Sequence, residues 1–343
     1  MMGSRGSSGW WVGAFALALT LLLVTNPAHA RNVPGSVSAV QSRIDQAVAA
    51  SLIDTTVTAA RRAALFESCE SFLKDEDPAT KALRNPCEWG VSVGGGARYI
   101  EGSPDGFEFD FTSGFGNVAV AHKLTPTTTI VVALIAEGGS GDLDYNDGTL
   151  ENIGVGGLAG AIFKLNDVLD FSVLGGGEWL NYETTRSSGT YSGEYDAVRY
   201  IVDTNLRGTY DAAAFFVEYG AGLRFIKQDN DNYTEYSHGD SFASVPDSGF
   251  TVLTGIGDLK LGTRMPGFVP YVEGTGYVNI IDDTDFAASF GGLTPEDQTA
   301  YGRLGVGADI DVLTGKLSLR TGAFADGDGF QGADGGFQFA KAF

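Results

Sequence analysis

The sequence predicts an all-β fold, a 12-stranded antiparallel transmembrane β-barrel preceded by a short helical segment. Three observations predict it: an apolar export signal at the N-terminus, twelve segments of alternating apolar and polar residues after residue 87, and phenylalanine as the last residue. Each alternating segment reaches the roughly 9–11 residues with which a tilted strand crosses a bilayer. An even number of strands is typical of single-chain bacterial barrels.

The first 30 residues have the form of a signal peptide. Arg5 supplies a positive charge, residues 10–24 are an almost unbroken apolar run, and Ala28-His29-Ala30 has the small-x-small pattern of a cleavage site. An uncleaved membrane anchor is the alternative, but a spanning helix needs about 20 apolar residues. We therefore predict export and cleavage after Ala30.

Composition and charge narrow the class of protein further. Glycine makes up 49 of the 343 residues, about twice the usual share of ~7%. Abundant glycine and aromatic residues with near-zero mean hydropathy are typical of strands that are apolar on one side only. The net charge of -21 argues against a nucleic-acid partner, because phosphate binding needs clusters of Lys and Arg that are missing here.

Residues 31–87 form a segment of their own. Apolar residues at spacings of three and four predict a helix from about 36 to 73, with Ser36 or Ser38 as its N-cap. Cys69 and Cys87 predict one disulfide in an exported chain. Metal ligation is the alternative for this pair, but no His or further Cys accompanies it.

The barrel is predicted over residues 88–343. Short turns alternate along the chain with longer polar loops, around 184–194, 229–247 and 283–299, as in outer-membrane barrels. The predicted strands are 88–101, 106–123, 128–143, 150–164, 168–183, 195–210, 213–228, 248–263, 268–282, 300–312, 316–326 and 332–343.

Alternation within these segments assigns two faces. Phe107, Phe109 and Phe111 share one side of the second strand, and we expect such apolar sides to face lipid. A soluble β-sandwich or lipocalin-like barrel, with an apolar interior, is the alternative. Charged residues on the opposite sides are predicted to face the lumen, namely Arg98, Asp110, Arg199, Asp203, Arg207, Glu218, Arg224, Glu273, Arg303, Asp309 and Arg320.

These lumen charges leave two outcomes open. Mixed signs favour a salt-bridged interior around a helix, and the same residues could instead line a channel and set its ion selectivity. No catalytic, cofactor or metal site is predicted. The sequence His238-Gly239-Asp240-Ser241 lies in a loop where such residues form turns, and Asp142, Asp144 and Asp147 lack the full spacing of a calcium loop.

Three stretches resemble the autotransporter β-domain, the twelve-stranded translocator unit of type V secretion. They are the Pro-Tyr strand at residues 268–273, the glycine-rich strand at 302–308 and the closing Gly-Phe-Gln-Phe-Ala-Lys-Ala-Phe. The resemblance covers residues 88–343. Phe337, Phe339 and Phe343 on one face of the last strand resemble the signal that directs insertion into the outer membrane.

The resemblance implies an outer-membrane protein whose partners are membrane lipid, lipopolysaccharide, the barrel-insertion machinery and periplasmic chaperones, and which is a monomer. Family members carry a long passenger and a helix that threads the pore, whereas only residues 31–86 precede this barrel. The 36–73 helix could fill the pore or cap it in the periplasm. Three functions follow as hypotheses: a translocator-type barrel that displays its helix or is plugged by it, a porin-like passive channel, and a structural or adhesive barrel.

Overall fold

The computed structural model describes residues 33–64, 88–103, 106–212, 214–285, 300–312, 315–327 and 329–343. It contains one helix, α1 (Ser38–Ala64). The strands are β1 (Trp89–Gly102), β2 (Phe109–Thr125), β3 (Thr128–Leu143), β4 (Gly148–Lys164), β5 (Leu169–Arg186), β6 (Tyr191–Asp211), β7 (Phe215–Asn230), β8 (Tyr233–Ser237), β9 (Asp240–Val245), β10 (Ser248–Thr263), β11 (Phe268–Asp285), β12 (Ala300–Val312), β13 (Gly315–Asp326) and β14 (Phe330–Ala342).

Twelve of these strands close into an antiparallel barrel. Each pairs with its neighbour in chain order, β10 follows β7 in the wall, and β14 closes the ring on β1. The two remaining strands, β8 and β9, form a hairpin that pairs with the tip of β6. The predicted 12-stranded barrel with an N-terminal helix is therefore confirmed.

The barrel has two distinct ends. The turn end carries both termini of the barrel chain and the short connections that follow β2, β4, β6, β10 and β12. The loop end carries the other connections, including the β8–β9 hairpin. One predicted loop, 184–194, is instead mostly strand, because β5 and β6 pair as far as Arg186 and Tyr191 and leave a turn of four residues. A second, 229–247, contains β8 and β9.

Helix α1 lies inside the barrel. Gly35, with φ of 72°, turns the chain before the helix, and the Ser38 hydroxyl donates to the Gly35 carbonyl oxygen at 3.0 Å. Arg61 and Arg62 stand in its last turn, where positive charge offsets the helix dipole. At 1.5 Å per residue its 27 residues span roughly 40 Å, enough to run from the loop end to the turn end.

The apolar core lies between α1 and the wall, mainly strands β2–β6. Near the loop end, residues of the first helical turns pack with Phe109, Phe111 and Ile100. Near the turn end, Leu52 and Ile53 pack against small wall residues such as Ala119. The lipid assignment of Phe107, Phe109 and Phe111 is therefore wrong. Their rings are buried inward because they pack against apolar residues of α1 inside the lumen.

The outer face of β6 is apolar, as the alternation of its apolar and polar residues predicts. In β6, large side chains on the outer face are exposed and alternate with buried residues that face the lumen, both polar and apolar. The exposed set is Val198, Tyr200, Val202, Leu206 and Tyr210. Within the residues that the structure describes, no helix is long and apolar enough to cross a membrane.

Part of the predicted N-terminal segment lies outside the described residues. Helix α1 confirms a helix within the predicted 36–73 range but is described only as far as Ala64. The signal peptide and both cysteines of the predicted disulfide, Cys69 and Cys87, fall in the undescribed stretches.

Candidate functional site: the helix-filled lumen

A buried ionic cluster joins α1 to the wall in the half of the lumen nearer the loop end. Arg199 of β6 donates to Glu137 at 3.0 Å and to Glu178 at 2.9 Å, and its second terminal nitrogen lies 3.7 Å from Asp45 of α1. Asp45 also accepts hydrogen bonds from Tyr182 at 2.8 Å and from Gln228 at 2.7 Å. All of these charged side chains are almost fully buried. A buried charge is tolerated only when it is paired, so this cluster fixes the position of α1.

A second ionic cluster lies near the middle of α1, between the loop end and the turn end of the barrel. Arg224 of β7 donates to Asp54 of α1 at 2.6 Å and to Asp203 of β6 at 3.0 Å. The Tyr277 hydroxyl donates to the other carboxylate oxygen of Asp54 at 2.5 Å. Both oxygens of the helix carboxylate are thus held by the wall.

The polarity of the contacts reverses at the turn end. Here the helix supplies the cations: Arg61 pairs with Asp170 at 2.6 Å, and Arg62 pairs with Asp309 at 2.8 Å. Asp45 and Asp54 of the helix therefore meet wall arginines, and Arg61 and Arg62 meet wall aspartates at the turn end. Nearer the loop end, the helix also supplies a cation, Arg43, which lies 3.8 Å from Asp326. A helix shifted along the axis would break these ion pairs.

Two more wall arginines hold the helix without an ion pair. Arg98 donates to the backbone carbonyl oxygen of Ala47, and its guanidinium lies 3.8 Å above the ring of Phe324. Arg320 donates to the Thr55 hydroxyl. These contacts bind α1 through polar groups that the helix presents on its surface.

The side of α1 away from the apolar core borders a charged cavity of about 90 Å³. Its wall is lined by residues that pair mainly with one another: Arg207 with Asp258 at 2.7 Å, and Arg303 with Glu273 at 2.5 Å and Asp334 at 2.6 Å. Lys260 lies 3.5 Å from Glu218. The cavity lined by these charged residues is a part of the lumen that α1 does not fill.

Of the predicted lumen charges, the structure brings all but Asp110 to the inner face. Asp110 lies between the inward rings of Phe109 and Phe111, and successive side chains of a strand point to opposite faces, so Asp110 faces outward. That prediction is wrong, for the same reason as the lipid assignment of the neighbouring phenylalanines.

Sequence reasoning missed Glu137 and Glu178, which complete the Arg199 cluster. Each is an isolated charge within a run of glycine and apolar residues, and that isolation was the available signal. Gly154 on β4 leaves room for both: a Cβ there would meet Glu178 Oε1 at 2.8 Å and Glu137 Cγ at 3.1 Å. The helix charges Asp45 and Asp54 were also not singled out.

Other predicted positions lie away from the lumen contacts. Phe337 and Phe343 are exposed on the outer face, and Phe339 shares that face with partial burial. His238 occupies the turn between β8 and β9, with φ of 52°. Within the described residues, no group of three or more His, Cys, Asp or Glu side chains could hold a metal ion.

Solved structures share this architecture. The translocator domain of autotransporter NalP from Neisseria meningitidis matches with a TM-score of 0.64 at 15% identity, over 84% of this chain and 99% of that one. The β-domain of the Bordetella autotransporter BrkA matches with a TM-score of 0.56 at 14% identity, over 75% of this chain and all of that one. At these identities the likeness concerns the fold.

The sequence itself carries the family assignment. No curated protein matches the chain. The profile of the autotransporter β-domain matches residues 89–323, which is more than half of the chain. That family consists of outer-membrane β-barrels of type V secretion, in accord with the closed barrel and its internal helix. The chain therefore belongs to the autotransporter β-domain family.

Proposed function

We propose that this protein is a self-plugged outer-membrane barrel that holds its N-terminal segment at the cell surface. The chain is exported by the signal peptide, cut after Ala30 and inserted as a barrel, after which α1 remains in the lumen. The observation that carries the proposal is the chain of ion pairs from Asp45 to Arg62, which binds α1 to the wall along its length.

The direction of α1 supports surface display. Its first residues lie at the loop end, where Ser36 contacts the β3–β4 connection, and Arg62 near its last turn reaches Asp309 at the turn end. Outer-membrane barrels have short periplasmic turns and longer external loops. The loop end is therefore assigned to the cell exterior, so that Val33 and the start of α1 would lie on that side.

The partners in this proposal follow from the outer surface. Phe337, Phe339 and Phe343 would present the insertion signal to the barrel-insertion machinery, after periplasmic chaperones deliver the unfolded chain. The exposed apolar side chains of the outer face would contact membrane lipid, and lipopolysaccharide would surround the loop end. The Cys69–Cys87 disulfide would form within the connection from α1 to β1, and the barrel would act as a monomer without enzymatic activity.

A porin-like channel is the second candidate, because the charged cavity beside α1 is a polar path that the helix leaves open in part of the lumen. Conductance in planar bilayers separates the two. The mature full chain should conduct weakly, whereas D45R/D54R places helix cations against Arg199 and Arg224 and should open large conductance by releasing α1. The control D229R/D231R makes the same change of charge outside the lumen and should leave the low conductance unchanged.

Each of the other outcomes contradicts the plug. Large and equal conductance in the mature protein and in D45R/D54R would favour the porin. Absence of conductance in every variant, including one that lacks residues 31–87, would favour a structural or adhesive barrel.

A further inference from the structure

At the loop end, four wall residues close around the chain just before α1. These residues, named here the mouth cluster, are Tyr145 and Asn146 of the β3–β4 connection, Arg186 of β5 and Glu235 of β8. All four side chains are buried. They surround Gly35 and Ser36, the point where the chain leaves the lumen.

The mouth cluster contacts mainly the polypeptide backbone. The Gly35 N–H donates to Glu235 Oε1 at 3.0 Å, and the Tyr145 hydroxyl donates to the Ser36 carbonyl oxygen at 2.8 Å. Among the hydrogen bonds to residues 35 and 36 in the described part of the chain, that of the Asn146 amide, 3.1 Å from the Ser36 hydroxyl, depends on a side chain of the bound segment. The site offers an acceptor for the N–H of residue 35 and a donor for the carbonyl oxygen of residue 36. Because both contacts are to backbone, it would fit almost any polypeptide in this conformation. Glycine is favoured at position 35 because φ there is positive.

Glu235 also joins the bound segment to the β8–β9 hairpin. Its Oε2 accepts from Arg186 Nη2 at 2.7 Å and from Arg186 Nε at 3.1 Å. One carboxylate thus bridges a fixed wall strand, the hairpin and the departing chain. Charge-assisted bonds of this kind are the stronger class of hydrogen bond.

The hairpin has little other attachment by backbone pairing. β8 pairs with β6 at two positions only, Tyr191 with Ser237 and Ser192 with Tyr236. Side chains add further support. Tyr233 stacks on Tyr195 at 4.8 Å, over Gly193, where any Cβ would overlap the Tyr233 ring, and it hydrogen-bonds Thr184. The ring of Phe242 in β9 lies 4.5 Å from that of Tyr191 in β6. Burial raises the pKa of the Tyr233 phenol, so the stack stays neutral.

We infer that the mouth cluster is a binding site for polypeptide backbone, and that the β8–β9 hairpin is a lid held closed by the backbone bound there. The chain at Gly35 and Ser36 occupies the site in this structure. Binding and lid closure stabilise each other, because both depend on Glu235. This inference rests on the proposed function only in that α1 remains in the lumen.

Hydrogen–deuterium exchange on the mature full chain tests the coupling from its two sides. Glu235→Gln weakens the site from the hairpin, whereas Tyr145→Phe removes a bond to Ser36 and leaves the Glu235–Arg186 pair of the hairpin in place. We expect each variant to speed exchange by about tenfold both in residues 35–40 and in residues 233–245, since coupling between two sites is reciprocal. Exchange in residues 45–60 should remain slow.

Matched controls change the same residue types elsewhere. Glu194→Gln alters an exposed carboxylate of β6 that contacts Asn181, and Tyr210→Phe alters an exposed ring near the turn end. Neither should change exchange at the mouth. The inference is overturned if Tyr145→Phe loosens residues 35–40 while the hairpin keeps its protection, or if Glu235→Gln changes neither segment. Fast exchange of residues 45–60 in the unmodified protein would instead contradict the plug.

Discussion

Arg199 faces three buried carboxylates, Asp45, Glu137 and Glu178. We expect Arg199→Met to lower the free energy of unfolding by about 3–5 kcal/mol, because it leaves those carboxylates buried without their cation. Urea unfolding in detergent, followed by tryptophan fluorescence, measures the loss. Lys227→Met is the control: Lys227 pairs with Asp229 at 3.0 Å on an exposed surface, where ion pairs contribute about 0–1 kcal/mol. Equal losses in both variants would contradict the structural role of the cluster.

For single residues, the sequence predicted the direction of a charged side chain correctly where the charge alternated with apolar neighbours on the outer face. Arg199 and Asp203 were placed correctly because Val198, Tyr200 and Val202 lie between and beside them. Asp110 was misplaced because Phe109 and Phe111 are apolar and yet inward. Alternation divides a strand into two faces, but polarity identifies the inner face only when the lumen contents are known.

The approach of α1 to β1 depends on one glycine. A Cβ at Gly90 would overlap the carbonyl group of Ala63 near the end of the helix. Gly90→Val should therefore displace the last turn of α1 and destabilise the protein by about 1–3 kcal/mol, the usual cost of overpacking. The shift in gel mobility on heating reports the loss as a lower transition temperature. Gly257→Val is the control, since a Cβ at Gly257 meets nothing within 4 Å. A transition temperature as high in Gly90→Val as in the control would show that α1 does not pack on β1.

Elements were easier to predict than their positions. The spacing of apolar residues predicted a helix, but α1 is buried on all sides, and its sequence could not show whether it lay in the lumen or in the periplasm. The missing information was the complementarity of Asp45, Asp54 and Arg62 to wall charges that are distant in sequence. The β8–β9 hairpin escaped prediction because its short strands lie in a polar stretch that also has the composition of a loop.

For the whole molecule, twelve strands and closure could be predicted because both follow from local patterns, namely period-two alternation and turns of contrasting length. The filled lumen could not, because it depends on contacts between residues more than a hundred positions apart, such as Arg224 with Asp54. The same contacts distinguish a plugged barrel from an open one. The proposed function of the barrel therefore depends on the path of α1 through it.

Pulsed electron paramagnetic resonance distances test that path most directly, using the mature chain with Cys69 and Cys87 replaced by serine. A label at Val33 paired with one at Ser188 should give a short, narrow distance at the loop end. Val33 paired with Thr127 at the turn end should give roughly 40 Å or more, the length of a helix that crosses the barrel. Broad distributions for both pairs, or a short distance from Val33 to Thr127, would contradict a helix that enters at the turn end and leaves at the loop end.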